Sequence, residues 1–205
     1  ETGRTGEVRF YGEIANTPDA VANLLKKLGG RHGKLHFVYE AGPCGYCLYR
    51  QINAAGPVFE VVSPAHTPRR AGDRVKTDRR DAARLARFLR SGDLTEIHVP
   101  DAATEAMRDL ERARDDAKKA ERVSRHQLGK FLLRQGRRYS GKTAWTVMHL
   151  KWIRTQHFEH EAQQRVLEDY LRVVEDQGER VKRLTKSIVE LVETWSLRPL
   201  VKAFQ

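Results

Sequence analysis

The segment between residues 101 and 198 contains no proline, and its apolar residues recur at helical spacing. The clearest series has members three or four residues apart: Leu167, Tyr170, Val174, Gln177, Val181, Leu184, Ile188, Leu191 and Trp195. Spacing of this kind, sustained over about four heptads, is typical of a coiled-coil seam. The sequence therefore predicts a long all-α coiled-coil region over residues 101–205.

The spacing does not decide what the predicted seam packs against. A second, alanine-rich series runs from residue 106 to residue 131 through Ser124 and Gln127, so the two series could form an antiparallel hairpin within one chain. A second copy of the chain could fill the same role. For that case, the residues we assign to oligomerisation are Val174, Val181, Leu184, Ile188, Leu191 and Trp195.

Residues 1–100 have a different pattern, in which short strand-like and helix-like segments alternate. Strands are predicted at residues 8–11, 35–39 and 58–62. Helices are predicted from Pro18 to Gly29, from Pro43 to near Gly56, and from Asp78 to about Arg90. Alternation of strands and helices implies crossover connections and parallel strand pairing. We therefore predict an α/β domain over residues 1–100.

The positive charge is concentrated in two stretches. The formal net charge is +11, yet residues 1–68 hold 7 Lys and Arg against 6 Asp and Glu. Residues 69–90 hold 9 basic and 3 acidic side chains, and residues 121–142 hold 7 and 1. Such concentration suits a polyanion, because neutralising phosphates releases condensed counterions. The alternative is a solvated, arginine-rich helical face.

Membrane and disulfide-rich classes are not indicated. No apolar run approaches the ~20 residues that span a bilayer, and the first residues resemble no secretory signal. The two cysteines, Cys44 and Cys47, cannot form a disulfide scaffold. We therefore expect a soluble cytoplasmic protein with no membrane partner. Because residue 1 is not methionine, we also expect the chain to be part of a longer protein.

Three carboxylates stand out by their positions. Glu40 follows a predicted strand, where ligands collect in open α/β sheets. Asp78 and Asp81 are three residues apart at the head of a predicted helix, so they share one face. Converging oxygen ligands are what Mg²⁺ prefers. The alternative is structural, because Asp at a helix start can simply cap it and Glu40 can pair with an arginine.

Two segments together resemble a known family. A Tyr-Glu-Ala-Gly string surrounds Glu40, and a Lys-Thr-Asp-Arg-Arg-Asp-Ala string begins at Lys76 and leads into a helix that ends near Gly92. These strings resemble the insertion-sequence transposases of the DEDD type, whose members carry a RuvC-like domain and are guided by a bridge RNA. The resemblance covers residues 1–100 well and extends loosely into the helical half.

The resemblance implies a RuvC-like, RNase H-like fold in which four acidic residues hold two Mg²⁺ ions for DNA strand cleavage and exchange. Glu40, Asp78 and Asp81 match three of these residues as metal ligands and catalytic residues. The first acidic residue, on an opening strand, has no match here, and neither has the family's carboxyl-terminal serine nucleophile. We therefore expect this part of the protein to be inactive alone, although the whole protein is a transposase.

The resemblance also implies DNA, a structured guide RNA and further copies of the chain, as a dimer or tetramer, for partners. The residues we assign to nucleic-acid binding come from the two basic stretches: Lys76, Arg79, Arg80, Arg84, Arg87, Arg134, Arg137, Arg138 and Lys142. Of these, Arg80, Arg84 and Arg87 share one helical face through steps of four and three residues.

Two other functions fit parts of the sequence. In the first, the chain is a non-catalytic module that binds nucleic acid and assembles, and its carboxylates only cap and pair. In the second, Cys44 and Cys47 form a redox pair at a helix start, which leaves the basic excess unexplained. Metal dependence separates the first alternative from a transposase, because only the enzyme needs a divalent cation.

Overall fold

The chain divides into two compact units, Glu1–Val99 and Pro100–Gln205. The computed structural model describes residues 8–32, 34–67 and 77–204. We call Glu1–Val99 the sheet unit and Pro100–Gln205 the helical unit. The sheet unit contains α1 (Pro18–His32), β1 (His36–Glu40), α2 (Cys47–Ala54), β2 (Val58–Val62) and α3 (Asp78–Ser91). The helical unit contains α4 (Ala102–Arg134), α5 (Val147–Arg154), α6 (Glu161–Val192) and α7 (Arg198–Ala203).

The sheet unit is built around two parallel strands. β1 and β2 pair from His36 opposite Val58 to Glu40 opposite Val62, and α2 makes the crossover between them. After α3 the chain returns to the sheet, where the amide of Ile97 donates to the carbonyl oxygen of Val61 at 2.8 Å. This confirms the predicted mixture of strands and helices, although the described part of the chain is mostly helical and its sheet has two strands.

The core of the sheet unit lies between these strands and the helices α1 and α2. Its buried members are Val21, Ile52, Phe59 and Val61. Phe59 stacks on Phe37 of the neighbouring strand with ring centroids 6.1 Å apart, and Tyr49 of α2 meets the same ring edge-on at 5.8 Å. Aromatic packing across the pair therefore fixes α2 against the sheet.

The predicted strand at residues 8–11 is wrong. Residues 8–15 have no regular secondary structure, and Phe10 and Tyr11 are each about half exposed, at 49% and 51%. Their rings contact cations instead: Arg79 lies 4.7 Å from the Phe10 centroid and Lys27 lies 5.3 Å from that of Tyr11. A strand is stable only when a neighbouring strand pairs with it, and an alternating sequence pattern does not provide that neighbour.

Two predicted helix boundaries also differ from the structure. The first helix continues past Gly29 to His32, so the glycines do not end it. The second helix begins at Cys47 rather than at Pro43, because residues 43–46 form a turn in which Gly45 takes a φ of +65°. That φ lies in the left-handed region that glycine adopts without steric cost.

The helical unit is an antiparallel pair formed by α4 and α6 within one chain. Near one end, the guanidinium of Arg114 donates to the hydroxyl of Thr185 at 3.0 Å. Near the other end, the Phe131 and Tyr170 rings meet edge-on at 5.9 Å. Later residues of α4 thus meet earlier residues of α6. Oligomerisation through the same helices stays a prediction.

The core of the helical unit is concentrated where α5 folds back onto this pair. Its buried members are Leu128, Phe131, Leu132, Ile153, Leu167 and Val174. In α4 the buried residue is Leu128, at 0% exposure, whereas Gln127 of the predicted series is exposed. A period of 3.6 residues carries the apolar face from Ser124 to Leu128 in one full turn.

In the ranges that the structure describes, no helix combines the length and the apolar character that crossing a membrane requires.

We expect Leu128→Ala to lower the free energy of unfolding of the helical unit by about 3 kcal/mol, because it opens a cavity in this core. Urea denaturation followed by tryptophan fluorescence measures this change, since all three tryptophans, Trp145, Trp152 and Trp195, belong to the helical unit. The matched control is Leu133→Ala, which removes the same atoms from a side chain that is 48% exposed. Equal losses in the two variants would contradict the described core.

Candidate functional site

The head of α3 is fixed by local hydrogen bonds. Thr77 takes an extended backbone conformation, and its hydroxyl accepts the amide N–H of Arg80 at 3.3 Å. Asp78 and Asp81 therefore lie in the first turn, where the helix dipole favours negative charge. At the other end, Gly92 has a φ of +77° and its amide caps the last carbonyls. The sequence predicted the start of this helix, and its end to within a residue, from these local signals.

Glu40 is the last residue of β1, opposite Val62. Beyond it, the amide of Ala41 still donates to the carbonyl oxygen of Val62 at 2.8 Å, so the backbone around Glu40 is held at the carboxyl end of the sheet. α3 packs against β1. Glu40 is half-buried and faces a cleft that also borders α3.

This cleft has a volume of about 1240 Å³, and we refer to it as the sheet-unit cleft. Its lining includes Glu40, Asp81, Arg79, Arg80, Arg84 and Arg87. Arginines thus outnumber the two carboxylates, so positive charge prevails in the cleft. This charge suits a phosphate-bearing ligand. Lys76, the other basic residue assigned to this region, lies outside the described residues.

The three predicted metal ligands are not equivalent in the structure. Asp81 is 16% exposed and accepts a hydrogen bond from the guanidinium of Arg84 at 2.8 Å. Asp78 is exposed and does not line the sheet-unit cleft. Residues three apart on a helix differ by about 60° in direction, which is enough to separate their environments. The structure thus brings Glu40 and Asp81 to one cleft without Asp78.

The described residues contain no group of three or more His, Cys, Asp or Glu side chains that could hold a metal ion. The chemistry of the donors is nevertheless suitable, because Glu40 and Asp81 both offer carboxylate oxygens to the sheet-unit cleft. A cation there would compete with Arg84 for Asp81.

Phe10 is a residue of this site that sequence reasoning missed. It lines the sheet-unit cleft and carries the Arg79 guanidinium over its ring. A guanidinium so placed keeps its charge and donors while losing some freedom of motion. The sequence holds no signal for the contact, because the two residues are far apart along the chain and residues 8–11 were assigned to a strand.

Cys47 begins α2 and Cys44 lies in the turn before it, and both are exposed free thiols. The Cys44 thiol lies beside the hydroxyl of Tyr39. Burial raises the pKa of Tyr39 above its usual value, and the neighbouring thiol raises it further. The two cysteines therefore lie beside a phenol at the carboxyl end of β1, with no disulfide between them.

The second basic stretch covers the end of α4 and part of the loop that joins α4 to α5. Arg134 and Arg138 are exposed, as is Lys142. Arg137 donates to the backbone oxygen of His157 at 3.2 Å and lies 5.5 Å from the ring centroid of Phe158. Three of the four predicted nucleic-acid contacts thus extend from the surface of the helical unit, while the fourth also fastens the loop.

A cluster of aromatic rings supports this loop. His149 lies 4.6 Å from the ring centroid of Tyr139 and stacks on Trp152 at 5.7 Å. A Cβ on Gly141 would collide with the Tyr139 ring, so glycine is required there. Trp145 has a φ of +64°, a region that large side chains seldom adopt. The loop conformation is therefore closely determined by packing.

The predicted oligomerisation residues fall into three environments. Val174 is 4% exposed and belongs to the core of the helical unit, so its contacts lie within the chain. Val181, Leu184, Ile188 and Trp195 are half-buried. Leu191 is 51% exposed. Available apolar surface thus increases toward the carboxyl-terminal end of α6.

Comparisons with known proteins agree with the motifs around the sheet-unit cleft. Residues 2–135 match the family of DEDD transposases of the IS110 type, described as transposases. A putative transposase, y4qE, of Sinorhizobium fredii is 43% identical over 205 residues, covering 100% of this chain and 49% of the relative. The transposase for insertion sequence element IS1533 of Leptospira borgpetersenii is 35% identical over 202 residues, covering 98% of this chain and 58% of the relative. The chain thus spans about half the length of these relatives.

We expect the helical unit to lose stability in mild acid through His149. Its ring is 7% exposed, and its Nδ1 accepts the amide N–H of Trp145 at 2.8 Å. Desolvation lowers the pKa of His149 below its usual 6.5. The unfolded chain therefore binds a proton on His149 at a higher pH than the folded chain does. The stability that the neutral ring contributes is complete above pH 6.5 and is lost as pH falls through the folded-state pKa.

Urea denaturation followed by tryptophan fluorescence at pH 8 and pH 5.5 checks this expectation. We expect His149→Asn, whose amide oxygen can replace the Nδ1 acceptor, to reduce the acid-induced loss by about 1 kcal/mol, the net contribution of one hydrogen bond. His126→Gln, on an exposed histidine of the same unit, controls for removing an imidazole. An acid-induced loss in His149→Asn as large as in the unaltered chain would contradict the assignment.

Proposed function

The chain belongs to the DEDD transposases of the IS110 type, and on that basis we propose that it is the part of a transposase that holds the carboxylates for DNA strand cleavage and exchange. The observation that carries the proposal is the sheet-unit cleft, where Glu40 and Asp81 lie among five arginines. The family also suggests an RNase H-like fold, and the parallel β1–β2 pair is compatible with that arrangement. The whole protein would act in the cytoplasm of a prokaryotic cell.

Family membership implies dependence on a divalent cation, which we propose is Mg²⁺. We assign Glu40 and Asp81 as its ligands and Asp78 as a third ligand from the same helix turn. Bound there as a pair, such ions would stabilise the attacking and leaving oxygens of a phosphodiester. Arg84 orients the Asp81 carboxylate through their 2.8 Å ion pair.

The arginines of α3 would hold the DNA beside these carboxylates. Arg79, Arg80 and Arg87 line the sheet-unit cleft, and guanidinium groups bind phosphate oxygens through paired N–H donors. Such contacts fix the position of the strand without reading its sequence. We therefore assign them to phosphate binding, together with Lys76.

We further propose that the loop after α4 contacts a structured guide RNA. Its exposed cations, Arg138 and Lys142, project from a loop that the Tyr139 and His149 rings stabilise. A positive surface on a fixed backbone suits the phosphates of a folded RNA. Arg137 contributes to the same surface while fastening the loop to residue 157.

A specific observation favours the alternative of a non-catalytic module that binds nucleic acid and assembles. Asp81 is already paired with Arg84, and the described residues contain no cluster of three metal-ligating side chains. In that case the carboxylates serve the fold alone, and binding of DNA depends on salt but not on a divalent cation.

We also propose that the chain forms dimers or tetramers through the carboxyl-terminal part of α6. Leu191 is 51% exposed there, and Leu184 and Ile188 are half-buried. Apolar side chains in such positions gain free energy when a second chain covers them.

Strand exchange by the full-length protein tests the metal-site proposal. We expect Glu40→Gln, Asp78→Asn and Asp81→Asn each to reduce the rate at least about 100-fold, because a metal ion contributes several kcal/mol of transition-state stabilisation. Asp19→Asn is the matched control, since Asp19 also lies in the first turn of a helix. Titration calorimetry of the 205-residue chain with Mn²⁺ should show weaker binding in the first three variants. Unchanged activity and unchanged metal binding in them would favour the non-catalytic alternative.

Sedimentation velocity tests the oligomer proposal. We expect Leu191→Asp to lower the mass of the assembly, because it places a charge in the proposed contact. Val189→Asp is the matched control, since Val189 is 59% exposed on another side of the same helix. A monomeric unaltered chain, or an unchanged mass for Leu191→Asp, would contradict the proposal.

A further inference from the structure

Three cations and one histidine follow one another at regular spacing in α4 and border one groove. Arg122, His126, Lys130 and Arg134 follow one another in steps of four residues, and all four are exposed. Each step advances about 6 Å along the helix and turns by about 40°. From Arg122 to Arg134 these steps add up to about 18 Å along the helix and a turn of about 120°, so the row winds partly around the helix. We call this row the α4 stripe.

Among the described residues, the three cations of the α4 stripe have no acidic partner. In the ranges that the structure describes, no carboxylate lies within ion-pair distance of Arg122, Lys130 or Arg134. Glu121, the nearest acidic residue in the sequence, is paired with Arg125. The stripe is thus a surface of uncompensated positive charge.

Several other cations of the helical unit form ion pairs. Arg112 pairs with Asp109 at 2.8 Å, Lys119 with Asp116 at 3.1 Å, and Lys182 with Glu179 at 2.8 Å. Residues 101–120 hold 5 basic and 6 acidic side chains, against 7 and 1 in residues 121–142. The change within a single helix shows that the imbalance is local to the α4 stripe and the loop that follows it.

The α4 stripe borders a shallow groove of about 650 Å³. Val123 and Gln127 line it from α4, and Tyr170 lines it from α6. The Tyr170 ring meets Phe131 edge-on, and the aromatic rings of the neighbouring loop stack on one another. The surface is therefore positively charged and exposes little aromatic ring area.

We infer that the α4 stripe binds the phosphate backbone of duplex DNA. Arg122, Lys130 and Arg134 spread positive charge over about 18 Å of α4, and duplex DNA presents phosphate charges along such a length. A membrane surface would need a broad apolar face opposite the charges, and α4 uses its apolar face against α6. A single strand would call for aromatic platforms on which bases stack.

The choice of DNA over RNA rests on the proposed function, because that function makes DNA the substrate. The inference goes beyond it in assigning Arg122, His126 and Lys130, which the sequence analysis did not select, and in placing a DNA contact outside the sheet-unit cleft. Arg134 would mark the end of the α4 stripe, where it meets the loop assigned to RNA.

Binding of the 205-residue chain to a fluorescent duplex DNA, measured by anisotropy over a range of salt concentrations, tests the inference. The variant combines Arg122→Ala, Lys130→Ala and Arg134→Ala; alanine preserves the helix because it is the strongest helix former. We expect the slope of log K against log salt to become shallower by about 2.7, since each phosphate contact contributes about 0.9. At 0.1 M salt the affinity should fall by roughly 100-fold or more.

The matched control combines Arg112→Ala, Lys119→Ala and Lys182→Ala. It removes the same three charges from exposed positions of the same helical unit, but these charges already have acidic partners. We expect its affinity to fall less than about tenfold and its slope to change by less than about 1. Equal effects in the two triple variants would overturn the inference and indicate a solvated face. Circular dichroism checks that both variants keep their helices.

Further arms separate the inference from the proposed function. The stripe variant should lose less affinity for a duplex RNA, and for a single-stranded DNA of equal length, than it loses for duplex DNA. A larger loss for either of these two ligands would overturn the choice of duplex DNA. A chain with Arg79→Ala and Arg87→Ala tests the sheet-unit cleft separately. If that variant alone loses DNA binding, the inference fails and the proposed function stands. If the unaltered chain does not bind DNA at any salt concentration, both fail.

Discussion

The parallel pairing of β1 with β2 is the constraint on which the sheet-unit cleft depends. Parallel strands cannot be joined by a tight turn, so α2 must cross over between them, and both strands then end at the same edge. The pairing places Glu40 opposite Val62 at that edge, and the hydrogen bond from Ala41 to Val62 extends the order one residue further. α3 packs against β1, so an acidic residue from the strand and another from the helix come to border one cavity.

The parts of this site that follow local rules could be predicted from the sequence. Thr77 caps α3 and Gly92 ends it, and both effects involve residues within one helical turn. The parts that depend on distant contacts could not. Spacing predicted that Asp78 and Asp81 share one helix face. Only the positions of the cleft and of Arg84 show that Asp81 is half-buried and Asp78 exposed. The cation–π contact of Arg79 with Phe10 likewise has no local signal, and it takes the place of the strand that alternation suggested at residues 8–11.

In the helical unit, periodicity predicted the helices and the general direction of their apolar faces. Only the structure shows what each apolar face packs against. Burial is concentrated near α5, where Ile153 is fully buried against Leu128 and Leu167. Farther along the pair, Arg114 and Thr185 make a polar contact, and the apolar residues of α6 become half-buried or exposed. One end of the pair is therefore stabilised within the chain. The other end retains the apolar surface that an intermolecular contact would require.

The placement of charge along α4 adds a constraint that folding alone does not explain. Glu and Lys have similar helix propensities, so an acidic residue could have replaced a member of the α4 stripe without loss to the helix. Lys130 and Arg134 are like charges four residues apart and repel each other by about a few tenths of a kcal/mol, so this pair slightly destabilises the helix that carries it. The same helix balances its charges in the preceding twenty residues. The first part of α4 balances its charges and the second part does not. A polyanion that supplies the missing negative charge best explains this difference.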